Sequence, residues 1–244
     1  MAELPLDQQE FAGALHATNE RYWRDHPFHR RLHQGALDEH EIRHWVANRW
    51  YYQAALPRKD AAILANCPLP EVRRRWIGRI VYQDGASEGE GSLEAWLRLA
   101  EAVGLTRDEV LAERYVVAGV RFATDAYLTF ARTRPWLEAV AASLTELFSP
   151  DLMRERVAAM RRRYPWIGPA GYAYFESRTS TAANDASVAM DLVLSHCDSR
   201  AEQDAARDAL KFKCDVLWAL LDSIEHSVSD QSRDVSWVTT TAFG

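Results

Sequence analysis

The chain has 244 residues, 48% of them apolar and 26% charged, with a formal net charge of −6. That length allows one large domain or two small ones with a sizeable core, and the negative balance argues against general nucleic-acid binding. No run of about 18 apolar residues marks a membrane span, and the start, MAELPLDQQEF, lacks the basic and apolar regions of a signal peptide.

Strand signals are nearly absent and helical periodicity fills the chain, which predicts an all-α fold. A first helix is expected over 7–24, with Phe11, Leu15 and Tyr22 on one side, broken by His26-Pro27. A short helix over 28–34 ends at Gly35, a natural terminator. Asp38 caps the next helix, which runs toward Asn66-Cys67-Pro68. Residues 70–83 follow, with Val72, Trp76 and Ile80 facing the core and Arg75, Arg79 and Gln83 on a neighbouring face. The loop DGASEGEGS, 84–92, has three glycines and no large apolar residue, so it is expected to be exposed and mobile. It lacks the Lys and Ser/Thr of a phosphate loop. Ser92 opens a helix that stops at Gly104, and Thr106 with Glu109 forms a capping box for the next. Helices over 119–133 and 136–148 flank Pro135. Ser149-Pro150 reads as an N-cap followed by Pro at the first helical position, opening a helix that ends at Tyr164-Pro165. Further helices are expected over 170–182, 185–197 and 200–228, the last with Phe212, Val216, Leu220 and Ile224 as its buried stripe and Lys213 beside it. The expected architecture is one compact bundle of about seven main helices over 1–228. The tail, 229–244, ends in the strand-like VSWVTTTAFG and is expected to pack on a neighbour or a partner chain. Three widely spaced cysteines, Cys67, Cys197 and Cys214, fit a reducing cytoplasm and read as small buried hydrophobes.

The chemistry concentrates in Trp45–Lys59, WVANRWYYQAALPRK. Ile42, Val46 and Trp50 form one helical stripe, and Trp45, Arg49 and Gln53 share another face. Pro57 is expected to kink or end the helix. An Arg, an amide and a Lys within an aromatic run have two physical solutions. The cations reach solvent, or they line an anion pocket, because an unpaired buried charge is expensive. Arg79, Arg156, Arg178 and Lys213 likewise sit beside apolar stripes, near Tyr22, Tyr127 and Tyr174. Convergence of these helices would make a pocket for a polycarboxylate, whose oxygens match Arg forks; otherwise each cation snorkels to water. For metal, His29/His33, His40/His44 and Asp222/His226 each place two ligands on one helical face. A di-iron bundle, however, needs several Glu-x-x-His pairs, and Glu41-x-x-His44 stands alone. No nucleophile elbow, redox Cys pair or dinucleotide fingerprint occurs.

NRWYYQ at 48–53, KDAAI at 59–63, NCP at 66–68, EAWLRL at 94–99, LTELF at 144–148, RYPWI at 163–167 and the Phe212–Trp218 segment resemble the pyrroloquinoline-quinone synthase family. The resemblance runs from about residue 10 to residue 222. It implies a haem-oxygenase-like or TenA-like bundle, usually a homodimer, holding neither haem nor metal. It also implies ring closure and oxidation of a tricarboxylated bicyclic precursor by O2, with release of hydrogen peroxide and no cofactor. Arg49, Gln53, Lys59, Arg79, Arg156, Arg178 and Lys213 match positions that hold the quinone and its carboxylates. Tyr22, Tyr127, Glu146 and Tyr174 match pocket residues, and Tyr174 and Arg178 match positions linked to oxygen chemistry.

Three departures stand out: Trp23, Gln83 and Met153 occupy places where the family has His. Imidazole is the usual acid or base near neutral pH; Gln83 can only hydrogen-bond, Met153 is a weak acceptor, and Trp23 is larger. A paralogue oxidising a different carboxylated ring is therefore expected ahead of a working synthase in which Tyr174, Tyr127 or water replaces His. A non-catalytic holder of the quinone or its precursor is a third reading. The loop 84–92 and Gly168–Gly171 are candidate gates from composition alone.

Overall fold

In the computed structural model, which describes residues 3–231 (for 180–182 and 229–231 the backbone only), capping boxes start three helices. Asp7 with Glu10 opens α1 (Gln8–His16), Asp38 with Glu41 opens α3 (Glu39–Asn66), and Thr106 with Glu109 opens α7 (Arg107–Leu111). Pro27 sits at the start of α2 (Pro27–Gln34), and Gly35 closes it with φ of 78°, where a side chain would be strained. The remaining helices are α4 (Pro70–Trp76), α5 (Gly78–Asp84), α6 (Gly91–Ala102), α8 (Ala118–Thr133), α9 (Trp136–Ala142), α10 (Ser149–Arg163), α11 (Ala173–His196) and α12 (Arg200–Gln231). The all-α expectation holds: no strand occurs among the described residues, and none of their helices is long and apolar enough to cross a membrane. The expected tail beyond residue 231 lies outside the described residues.

Several boundaries differ from expectation, each for a local reason. The first helix stops at His16. Short 3-10 turns follow at Ala17–Arg21 and Trp23–Asp25, and the extended backbone of Tyr22 between them turns Tyr22 and the adjacent Trp23 both inward. α3 does not end at Pro57 but runs nine residues past it. A proline inside a helix costs about 3 kcal/mol, and burial of α3 on both sides of Pro57 outweighs that. Residues 70–83 split at Ile77, just before Gly78, so Arg75 is exposed against Asp191 while Arg79 and Gln83 are buried. Ser149 is not an N-cap: a 3-10 stretch, Ser143–Phe148, feeds directly into α10, and the Ser149 hydroxyl donates backward to the Glu146 carbonyl. The two helices expected over 170–197 are the single α11.

α3 is the axis of the bundle. Ile42, Trp45, Val46 and Ile63 are fully buried, and the helix packs against α5, α6, α8, α9 and α12. Trp45 stacks on Phe175 of α11, with ring centroids 6.1 Å apart, and meets Trp96 of α6 edge-on. Burial of each such side chain contributes on the order of 2–3 kcal/mol. α12 closes the bundle against α8 and α9, and α10 bridges α2 and α11. The cysteines are free and buried, and burial pushes the Cys197 and Cys214 thiols up to about 12.

Candidate active site

Between these helices lies a cavity of about 60 Å3, enough for roughly four waters. α3 supplies its longest wall: Arg49, Tyr52, Gln53, Leu56 and Lys59 recur at helical spacing and all face it. Gln53 donates to the Tyr174 hydroxyl of α11 at 2.7 Å, which fixes both side chains, and its own carbonyl oxygen has no partner.

One half of the site is charge-balanced. Lys59 Nζ donates to Asp60 at 2.5 Å and to Ser143 at 3.1 Å. Asp60 also accepts from Trp76 and Arg79. Arg79 reaches on to Glu146 at 2.5 Å, Arg178 meets the same Glu146 oxygen at 3.4 Å, and Asp185 stands 3.6 Å from both guanidinium groups. Burial alone would raise the Glu146 carboxyl, but Arg79, Arg178 and Lys59 outweigh it and hold the group at about 2. Burial opposes the charges of Arg79 and Arg178, yet Glu146 and its neighbours keep both firmly protonated.

The other half has cations without carboxylates. Arg49 is buried and lies over the faces of Trp23 and Tyr52 at 4.5 and 4.9 Å, with Nε and Nη1 unpartnered. Arg156, 1% exposed, is held at 2.8 Å by His29 Nε2. The His29 Nδ1–H donates to the Trp23 carbonyl at 2.9 Å, which leaves Nε2 as a neutral acceptor. Burial first, then Arg156, keeps His29 uncharged, and burial with Arg49 brings Arg156 down to about 9. Lys213 of α12 donates to the Tyr52 hydroxyl at 2.6 Å and sits 3.6 Å from the centre of the Tyr127 ring. Burial, then Lys59 and Arg49, push its ammonium well below the usual lysine range. Each of the three is positioned by a neutral or aromatic group, and none is paired with a carboxylate among the described residues.

Tyr22, Trp23 and Met153 complete the wall opposite α3. The cations therefore do not snorkel to water; the helices converge. Of the residues expected at the site, all border the cavity except Arg79, which stands one layer back behind Glu146, and Gln83, which is buried elsewhere in α5 with its side-chain oxygen unpartnered. The paired histidines do other work: His44 bonds Ser227, and Glu41 caps α3. Among the described residues no three His, Cys, Asp or Glu side chains gather as a metal site.

The family model described as "TENA/THI-4/PQQC family" matches residues 14–223. The chain belongs to this family. A pyrroloquinoline-quinone synthase of Pseudomonas aeruginosa is 50% identical over 224 residues, covering 92% of this chain and 90% of that protein. A pyrroloquinoline-quinone synthase of Klebsiella pneumoniae is 45% identical, covering 96% of each. Among solved structures, a haem-oxygenase-like domain from Shewanella denitrificans superposes with a TM-score of 0.78 at 12% identity, covering 98% of this chain and 99% of that one. A TenA homologue of Pseudomonas syringae gives 0.71 at 13%, covering 91% and 94%. At such identities these two likenesses show the fold.

Of the three residues expected to stand in place of family histidines, Trp23 and Met153 face the cavity and Gln83 does not. Sequence reasoning missed Tyr52, Asp60, Ser143 and His29. Tyr52 was legible, since it lies three residues from Arg49 on the face that carries Gln53 and Leu56. His29 had no such signal, because its role depends on α10 crossing α2.

Proposed function

We propose that the chain oxidises a polycarboxylated, amino-acid-derived ring compound with O2 as electron acceptor, and that this is the reaction of pyrroloquinoline-quinone synthase or a close variant of it. One observation carries the reading: Arg49, Arg156 and Lys213 present three basic centres to one cavity, and none of the three is ion-paired to a carboxylate among the described residues. A buried cation needs a counter-charge, and a tricarboxylate supplies three. The same shell stabilises the enolate or quinol anion formed as the ring loses protons, as preorganised charge does at a developing oxyanion. The electron-rich anion passes two electrons to O2, which leaves with two protons as hydrogen peroxide. The substrate itself is the reductant. In this reading Tyr174, fixed by Gln53, and Arg178 take the oxygen side of the ring, a role carried over from the family resemblance; Tyr127, whose hydroxyl burial keeps protonated, serves as a hydrogen-bond donor.

The test is O2 consumption and peroxide release with the tricarboxylated precursor after metal removal. Stoichiometric peroxide supports the reading. Absence of both turnover and binding of precursor or quinone sinks it.

A second reading, a paralogue acting on a different ring, is favoured by Trp23 and Met153. Both fill a cavity of about 60 Å3 where the family resemblance places imidazoles. If only proton handling has changed, the W23H/M153H double variant gains activity on the precursor. If the double variant stays inert while another carboxylated ring binds and is oxidised, the paralogue reading stands.

A further inference from the structure

Among the described residues no histidine lines the cavity, whose wall carries Trp23 and Met153, so another group must take the substrate's proton. The lining offers few choices. Glu146 is pinned by two arginines and is too weak a base. Burial pushes the Tyr22, Tyr52 and Tyr127 hydroxyls upward, so they act as donors. Lys59 is tied to Asp60. Lys213 is 1% exposed, lines the cavity, and has no acidic partner. The groups that face it are Arg49, Tyr52 and Lys59 from α3, Tyr127 from α8, Glu146 from the 3-10 stretch at Ser143–Phe148, and Cys214 on its own helix.

We propose that Lys213 is the proton acceptor of this site, an amine standing in for imidazole and aimed by the Tyr52 hydroxyl. The proposal rests on the reading of the cavity as a polycarboxylate-oxidising site. The Lys213 lone pair takes a proton from a substrate C–H or N–H. The electron pair of that bond remains on the ring as an enolate-type anion beside Arg49 and Arg156. When O2 takes two electrons, the proton on Lys213 is one of the two that leave with the peroxide. Burial, with the like-charged Lys59 and Arg49, favours the neutral amine while no ligand is bound. The carboxylates of a bound ligand raise the proton affinity of the amine: from the precursor it takes the substrate's own proton, whereas the product quinone has none to give, so quinone binding draws a proton from solvent onto Lys213.

Pyrroloquinoline quinone itself is a sufficient probe. Calorimetric titration at pH 8 in buffers of differing ionisation enthalpy is expected to show close to one proton taken up per quinone by the wild type. Uptake disappears in K213R, which stays cationic and still binds within about tenfold. With the precursor, K213R loses at least about 100-fold in turnover, and the wild-type rate falls as pH drops through the Lys213 pKa. Equal uptake in both proteins, or full turnover by K213R, overturns the proposal. If quinone binds to neither protein, the proposed function fails, and the lysine is read without ligand. The ratio of the wild-type unfolding constant to that of K213M is expected to fall by up to tenfold per pH unit as pH rises between the depressed folded pKa and the ordinary 10.5. A ratio that stays flat from pH 7 to 10 overturns the proposal on its own.

Discussion

At the scale of single residues, the site divides by what holds each cation. A carboxylate both positions and neutralises; a neutral acceptor only positions. His29 is the clearest case of the second, with its tautomer set by the Trp23 carbonyl and its free nitrogen on Arg156. Hydrogen bonds to charged groups contribute about 1.5–3 kcal/mol. His29→Ala is therefore expected to weaken quinone binding roughly tenfold or more, and His29→Asn, which restores an acceptor, to recover part of it; equal affinities for all three proteins would refute the role. Glu146 is the counterpart. Its folded pKa, about 2, lies below the ordinary 4.5, so its contribution is present above pH 4.5 and is lost as pH falls toward 2. The difference is on the order of 3 kcal/mol. Glu146→Gln is expected to lower stability at pH 7 and to flatten the acid limb of the unfolding curve between pH 4.5 and 2. An unchanged acid limb would show that the carboxylate contributes nothing to acid stability.

At the scale of elements, glycine at the α5–α6 turn decides whether Arg79 can be delivered. Gly91 has φ of 89°, and a Cβ there would stand 2.4 Å from the Gly85 nitrogen and 2.6 Å from the Gln83 carbonyl oxygen. Backbone cannot move aside as a side chain can. Gly91→Ala is expected to cost at least about 2 kcal/mol, read as a lowered denaturant midpoint, and to weaken ligand binding by loosening α5; a midpoint like the wild type's would mean the turn has another conformation. This turn shows what was legible in the sequence and what was not. Three glycines announced a loop, yet its tightness is a contact between residues six apart. Capping residues likewise placed the starts of α3 and α7, because a cap is a local bond. Pro57 does not end α3, one of the two outcomes its local cost allowed, because burial of a 28-residue helix outweighs that cost. Arg75 and Arg79 were grouped by spacing and separated by the break at Ile77. The cations were visible as residues beside apolar stripes; their convergence depends on helix crossings, and only the family resemblance anticipated it.

At the scale of the molecule, a net charge of −6 coexists with a buried cluster of basic groups that the fold does not neutralise. Such a cluster opposes folding: desolvated cations cost several kcal/mol when unpaired, and sites tuned for binding commonly trade stability for function. The empty protein should therefore be less stable than a version stripped of its ligand-binding charge. Arg49→Met and Arg156→Met, which keep apolar bulk, are each expected to raise the melting temperature of the free protein by a few degrees. Arg156→Met carries the cleaner signal, because burial already brings that guanidinium down to about 9. In the wild type, quinone at 100 times its dissociation constant should add about 2.7 kcal/mol, a rise on the order of 5–10 °C for a domain of this size. The arginine variants should lose most of that rise. Thermal unfolding of the three proteins with and without quinone separates the possibilities. Variants that are destabilised when empty would mean that Arg49 and Arg156 serve the fold. Variants stabilised when empty but unresponsive to quinone would mean that they are held against the fold's interest for an anionic ligand.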